Sequence, residues 1–297
     1  MQKIIPYLWF DDQAEEAIGC YTSAFTPSSI QSIAHYPEER EEAHMRDKTG
    51  KVLNAVFELS GQRFMAIDGG DTFKFNLSIS FFVNATTEQE VDTLWTTLSE
   101  RGSTLMPLQA YPFSPKFGWV MDAYGVSWQI SLGARPQKIT PTLMFVGEQH
   151  GKAEEAMRFY TSLFEHASIQ SLDRYGEGER GVVGTVRHAF FTLHNQEFSA
   201  LDSNEAHAFA FNEAISFYVA CETQDEVDHL WSALSAHPAS EQCGWLKDKF
   251  GISWQIIPNI MEQLLSDPNP EKARRVMDAM LQMKKIDIAT LQQAHSG

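Results

Sequence analysis

The sequence predicts an α+β fold: two tandem domains, each made of two βαβββ units, followed by C-terminal helices. Three observations predict it. The chain nearly repeats itself, since Ala14-Glu15-Glu16-Ala17 with Tyr21-Thr22-Ser23 and Phe25 returns as Ala153-Glu154-Glu155-Ala156 with Tyr160-Thr161-Ser162 and Phe164. Later, Glu90-Val91-Asp92 with Leu94-Trp95 returns as Glu226-Val227-Asp228 with Leu230-Trp231. Gly118-Trp119, Asp122, Gly125 and Ser127-Trp128-Gln129-Ile130 return as Gly244-Trp245, Asp248, Gly251 and Ser253-Trp254-Gln255-Ile256. A repeat of this length marks two homologous domains. Within each copy, several β-prone runs follow a single amphipathic helix, twice over. That order favours antiparallel sheet with one helix per unit over a doubly wound parallel fold.

The elements follow in order. Ile4–Phe10 is apolar and β-prone, and Asp12 with Glu15 predicts a helix start, after which Ala17, Ile18, Tyr21 and Phe25 share one helical face. Strands are expected at Ile30–His35, Val52–Leu59 and Arg63–Asp68, the last ended by Gly69-Gly70. Leu77, Ile79, Phe81 and Val83 alternate with Ser78, Ser80 and Phe82, a two-faced strand. Thr87 with Glu90 reads as a capping box, repeated at Thr223 with Glu226. The stripe Val91, Leu94, Trp95 and Leu98 reads as core packing against the sheet. Asn269-Pro270 opens a helix whose stripe Val276, Met277, Met280, Leu281 and Ile286 should dock across the copies or onto a partner subunit.

These patterns divide the chain into 1–135, 136–258 and a helical tail, 259–297. The spacing between twin positions falls from 136 at Trp95/Trp231 to 126 at Gly118/Gly244. The second copy has therefore lost a strand or loop corresponding to part of 101–117, including Met106-Pro107-Leu108 and Tyr111-Pro112-Phe113.

Composition narrows the function. The 297 residues are 43% hydrophobic and 12% aromatic, enough for two ordinary cores. A net charge of −16 argues against a nucleic-acid partner and favours cationic ligands over anionic ones. Cys20, Cys221 and Cys243 lack matching twins and read as reduced thiols. Pro6 and Asp11-Asp12 come too early for a secretory signal, and no apolar run spans a membrane, so a cytoplasmic location without membrane association is expected.

Ile5-Pro6-Tyr7-Leu8-Trp9-Phe10, Ala14-Glu15-Glu16-Ala17 with Tyr21, Phe64-Met65-Ala66-Ile67-Asp68 and the Gly118-to-Gln129 block together carry a resemblance. So does the tail, Arg275-Val276-Met277 with Ala279-Met280 and Lys285-Ile286-Asp287. The chain resembles the PhnB-like branch of the vicinal-oxygen-chelate superfamily, which includes glyoxalases, extradiol dioxygenases, fosfomycin-resistance transferases and bleomycin-binding proteins. The resemblance implies paired βαβββ units curling a sheet into a cup that holds a ligand. Members of this branch often carry the name demethylubiquinone methyltransferase. This chain lacks the Gly-rich strand-to-helix turn that would bind S-adenosylmethionine.

Metal-dependent relatives set ligands on four strands, which the resemblance aligns with Pro6, Ala66, Ser78 and Gln129, and in the second copy with Pro141, Ala200, Ala214 and Gln255. Pro and Ala offer no donor and Gln only a neutral carbonyl, so no metal and no cofactor are expected. His35, His44, His188 and His194 read as solvated loop or strand-end histidines, and Glu38 to Glu42 as a solvated charge run. Asp68/Asp202 and Asp122/Asp248 read as structural turns or caps. What remains is a cavity in the first copy lined by Leu8, Phe10, Phe64, Ala66, Ser78, Ser80, Phe82, Trp119 and Gln129. It would hold a small organic molecule, aromatic or cationic. A lyase or isomerase using Gln129, Asp68 or an added metal is a second reading, and a structural module with filled cups a third. Monomer and homodimer both stay open.

Overall fold

The structure, a computed structural model, describes residues 2–36 and 48–297. The charge run Glu38 to Glu42 and His44 lie outside the described residues. Among the described residues there are fifteen strands and seven helices, and all but the three tail helices follow the repeat. The first copy runs β1 (Ile4–Phe10), α1 (Ala14–Ala24), β2 (Ser28–His35), β3 (Val52–Leu59), β4 (Gln62–Asp68), β5 (Ile79–Ala85), α2 (Glu88–Ser99), β6 (Ser103–Tyr111), β7 (Ser114–Met121) and β8 (Ser127–Leu132). The second runs β9 (Ile139–Phe145), α3 (Ala153–Leu163), β10 (Ser168–Arg174), β11 (Val186–Leu193), β12 (Gln196–Asp202), β13 (Ile215–Cys221), α4 (Gln224–Leu234), β14 (Trp245–Lys247) and β15 (Ser253–Pro258). The tail is α5 (Ile260–Leu265), α6 (Pro270–Leu281) and α7 (Ile288–Ser296).

The compact bodies do not follow the repeat. One holds Pro6–Ile215, the other Lys3–Ile5 with Ser216–Gly297. In the larger body, β1, β4, β3 and β2 lie side by side, and a second sheet orders eight strands β10-β11-β12-β9-β5-β8-β7-β6. Its central pair, β9 and β5, is antiparallel, with Ser80 opposite Thr142 and Phe82 opposite Thr140. The second half of copy one thus joins the first half of copy two. This cup closes between the copies. At the seam, Asn76 Nδ2 donates to Ala210 O (2.9 Å) and its twin Asn212 Nδ2 donates to Lys74 O (2.8 Å), a pseudo-twofold exchange.

The repeated carboxylates build local structure. Gln13 caps α1 without a side-chain bond, so the expected Asp12 start is replaced by a remote one. Asp68 accepts from Ala14 N and Val52 N, both at 2.8 Å, tying helix start to β3. Asp202 does the same in copy two, accepting from Gly151 N, Ala153 N and Val186 N. Asp122 accepts from Tyr21 Oη, Trp128 Nε1, Tyr124 N and Val126 N, and Asp248 from Trp254 Nε1, Phe250 N and Ile252 N. Burial pushes the Asp122 carboxyl pKa up even though these donors favour the anion. His35 and Glu15 pair at the surface as their twins Arg174 and Glu154 do, so that position asks for a nitrogen partner to the glutamate and not specifically an imidazole. Trp95 is only half-buried, unlike Val91, Leu94 and Leu98. Its ring lies over Gly118, where a Cβ would come within 2.4 Å of it.

In the smaller body, β13 and β15 pair in parallel and β14 runs antiparallel to β15. Ala220 N donates to Lys3 O (3.0 Å), which brings the start of β1 to β13. Among the described residues β6 has no counterpart here. In its place, Cys243 N and Gly244 N donate to Met283 O and Lys284 O of the tail (2.8 and 2.7 Å). Asn269 caps α6 as expected, accepting from Glu271 N and Lys272 N. The tail helices pack on strands of the second copy. They bury Val276, Ile286 and Leu291 against Ile257 of β15, with Tyr218 of β13 beside them.

Candidate binding site

Helix packing settles which face of each strand is core. Trp128 meets Tyr21, Phe25 and Phe81 at ring distances of 5.2, 5.4 and 5.2 Å, and Phe81 meets Phe64 at 5.3 Å. Phe64 stacks on Phe57. Phe64 and Ala66 of β4, with Leu8 and Phe10 of β1, are all essentially inaccessible. Strand alternation places them on this helix-packed side. Ser78 sits just before β5, buried, its N–H bonded to Asn76 Oδ1 (2.8 Å) and its carbonyl taking Met144 N (2.8 Å). Ser80, Phe82, Trp119 and Gln129 come together on the opposite, helix-free face of the eight-stranded sheet. Half of the face expected from the first copy alone is supplied by the second.

That face carries a row of hydroxyls. Ser199 of β12 lies opposite Thr142 of β9, Thr142 opposite Ser80 of β5, and Ser127 continues the row on β8. Longer side chains reach three of them. His188 Nε2 lies 3.0 Å from Ser199 Oγ, Gln129 Nε2 donates to Ser80 Oγ (2.8 Å), and Trp119 Nε1 donates to Ser127 Oγ (2.7 Å). Thr142 Oγ1 is buried and has no hydrogen-bond partner. An unpaired buried hydroxyl costs about 1–3 kcal/mol, which a bound group could recover.

Rings stand around this row. Phe82 lies 6.4 Å from Phe117 and 6.4 Å from Phe190, and Phe190 lies 4.6 Å from His188. Phe190 lies opposite Ser199 and Phe82 opposite Thr140, so the two rings meet above the strands β12 and β9 that separate them. Arg135 stacks on Phe190, 3.4 Å from the ring centre, and holds Glu197 with both Nε (2.9 Å) and Nη2 (2.6 Å). Thr140 Oγ1 also donates to Glu197 (3.0 Å). Each charge in the site therefore has its counter-ion. His188, read from sequence as a solvated loop or strand-end histidine, instead stands within β11 and is half-buried here. Burial, and then the Arg135 charge, pull its pKa down to about 4, so the imidazole is neutral. The signal that could have found it was its place two residues before Phe190 on an alternating strand.

The donor set of this face does not fit a catalytic divalent metal. Ser80, Thr142, Ser199 and Gln129 offer neutral oxygens, His188 is a lone imidazole already bonded to Ser199, and Glu197 is spent on Arg135. Among the described residues no group of three or more His, Cys, Asp or Glu side chains converges.

The model of a family described as 3-demethylubiquinone-9 3-methyltransferase matches residues 2–131 and again 137–257, once per copy. The chain belongs to this PhnB-like family. A solved Bacillus cereus structure, described as 3-demethylubiquinone-9 3-methyltransferase, PhnB protein, is 46% identical over 44% of this chain and all of that one (TM-score 0.42). Glyoxalase I from Zea mays is 10% identical, covering 90% of this chain and 98% of its own, with a TM-score of 0.55. That match places the PhnB-like chain in the glyoxalase, or vicinal-oxygen-chelate, fold. No curated protein matches it. Among the described residues, no helix of this PhnB-like protein is long and apolar enough to cross a membrane.

Proposed function

We propose that this PhnB-like protein binds a small organic molecule, without a metal, on the helix-free face of its eight-stranded sheet. The observation that carries this reading is the hydroxyl row, with Thr142 Oγ1 buried and unpaired, on the face that also carries the rings of Phe82, Phe117 and Phe190. Apolar walls with a few directed polar groups are the usual makeup of a small-molecule site. The site favours an uncharged ligand over the cationic one that the −16 net charge suggests, because Arg135 and Glu197 neutralise each other and His188 is uncharged. A charged ligand would be desolvated there without a free counter-ion. Methyl transfer is not part of this reading, given the missing Gly-rich turn.

The test is native mass spectrometry of the purified chain, followed by denaturing extraction. An organic mass released in stoichiometric amount, with binding restored by adding it back, supports the proposal. A chain that carries nothing and binds no member of a neutral aromatic panel would instead be a structural module, its cup filled by Phe82, Phe117 and Phe190.

A further inference from the structure

The hairpin that only the first copy possesses leads into this site. Strands β6 and β7 close at Tyr111 opposite Ser114, and Phe113 at the turn is 66% exposed. A single exposed apolar side chain is ordinary. Phe113 differs because its ring begins an unbroken series. It stacks with Tyr111 at 5.6 Å and meets Phe117 edge-on at 5.0 Å, and Phe117 continues to Phe82 and Phe190. The series ends at neutral His188 and the unpaired Thr142 hydroxyl. Tyr111 is held in place by its own hydroxyl, which donates to Pro107 O (3.1 Å).

We infer that the β6–β7 hairpin is the entry track of the site, and that its ligands are uncharged planar aromatic molecules bearing a hydrogen-bonding oxygen. Phe113 offers the first ring contact in water, Phe117 and Phe82 carry the ring inward, and Thr142 receives the polar group. Planar rings suit such a path because offset and edge-on contacts can be exchanged one at a time. The second half of copy two lacks the hairpin and carries the tail helices on β13 and β15.

The inference rests on the binding reading above, and the experiment separates the two. Binding of 1-naphthol and of naphthalene to the full chain is followed by stopped-flow fluorescence and calorimetry, for the wild type, Phe113→Ser and Thr142→Val. If the wild type binds neither probe, the binding reading itself falls. If it binds, Phe113→Ser should slow association roughly two- to tenfold, the worth of one aromatic contact, with unfolding midpoint unchanged. Thr142→Val should weaken 1-naphthol and leave naphthalene alone. Unchanged association in Phe113→Ser overturns the entry track, as does a wild-type dimer in light scattering that Phe113→Ser turns into a monomer, since the ring would then serve a second copy. Equal loss of both probes in Thr142→Val overturns the polar anchor.

Discussion

Acidification should destabilise this protein through His188. In the folded chain its pKa is about 4 against an ordinary 6.5, with burial the larger cause and Arg135 the second, opposed by Asp173 and Glu197. The unfolded chain therefore takes up the proton first. The stability held by neutral His188 is complete above the ordinary value and drains away as pH falls from 6.5 to about 4. At about 1.4 kcal/mol per pH unit that interval holds on the order of 3 kcal/mol, less whatever the partly accessible ring regains from solvent. His188→Gln keeps a neutral hydrogen-bonding group near Ser199 and removes the titration. Urea unfolding of both proteins from about pH 7 to about pH 4 gives the test, since other titrating groups cancel in the difference. The wild type should lose about 2–3 kcal/mol more than the variant. Parallel pH profiles would refute the assignment of a half-buried, neutral imidazole.

Two other substitutions probe the frame around the site. Gly118→Ala should cost about 1–3 kcal/mol, because the new Cβ would lie 2.4 Å from Trp95 and lift its ring from the sheet; near-ultraviolet dichroism and urea midpoints read both effects. A neutral outcome would mean Trp95 does not rest on Gly118. Leu291→Ala, at a fully buried tail position, should cost about 2–4 kcal/mol and make the α5–α6 connection the first site of limited proteolysis. Unchanged stability would mean that the tail contributes little to the smaller body.

Much of the frame was legible because the chain states it twice. Strands β1 and β3 have the bounds their residues suggest, and both capping boxes form, with Thr87 and Thr223 accepting from Glu90 N and Glu226 N at 3.2 Å. In each box the glutamate carboxylate reaches one residue further back, to Thr86 N and Glu222 N. Joining half of one copy to half of the other left no mark in the sequence, since twin strands carry the same pattern and either partner satisfies it.

The site was half legible, and the reason is phase. Strand β5 alternates serine with large apolar residues, so Ser80 and Phe82 could be put on one face with Gln129 and Trp119. Strand β1, Ile-Ile-Pro-Tyr-Leu-Trp-Phe, is nearly all buried on both sides and carries no polar residue to mark its phase. A shift of one residue then exchanges every side chain between faces. Leu8 and Phe10 fall in the helix-packed core for that reason, with Phe64 and Ala66 of the neighbouring strand. The same shift explains why Pro141 and Ala200 looked like the second copy's cup positions. Their neighbours Thr142 and Ser199 form the hydroxyl row. Hydroxyls in an otherwise apolar strand mark the face that does not pack on helices, because a buried hydroxyl needs a partner that the helix-packed core does not supply. On this sheet three of the four have found one within the chain, and the fourth, Thr142, has none.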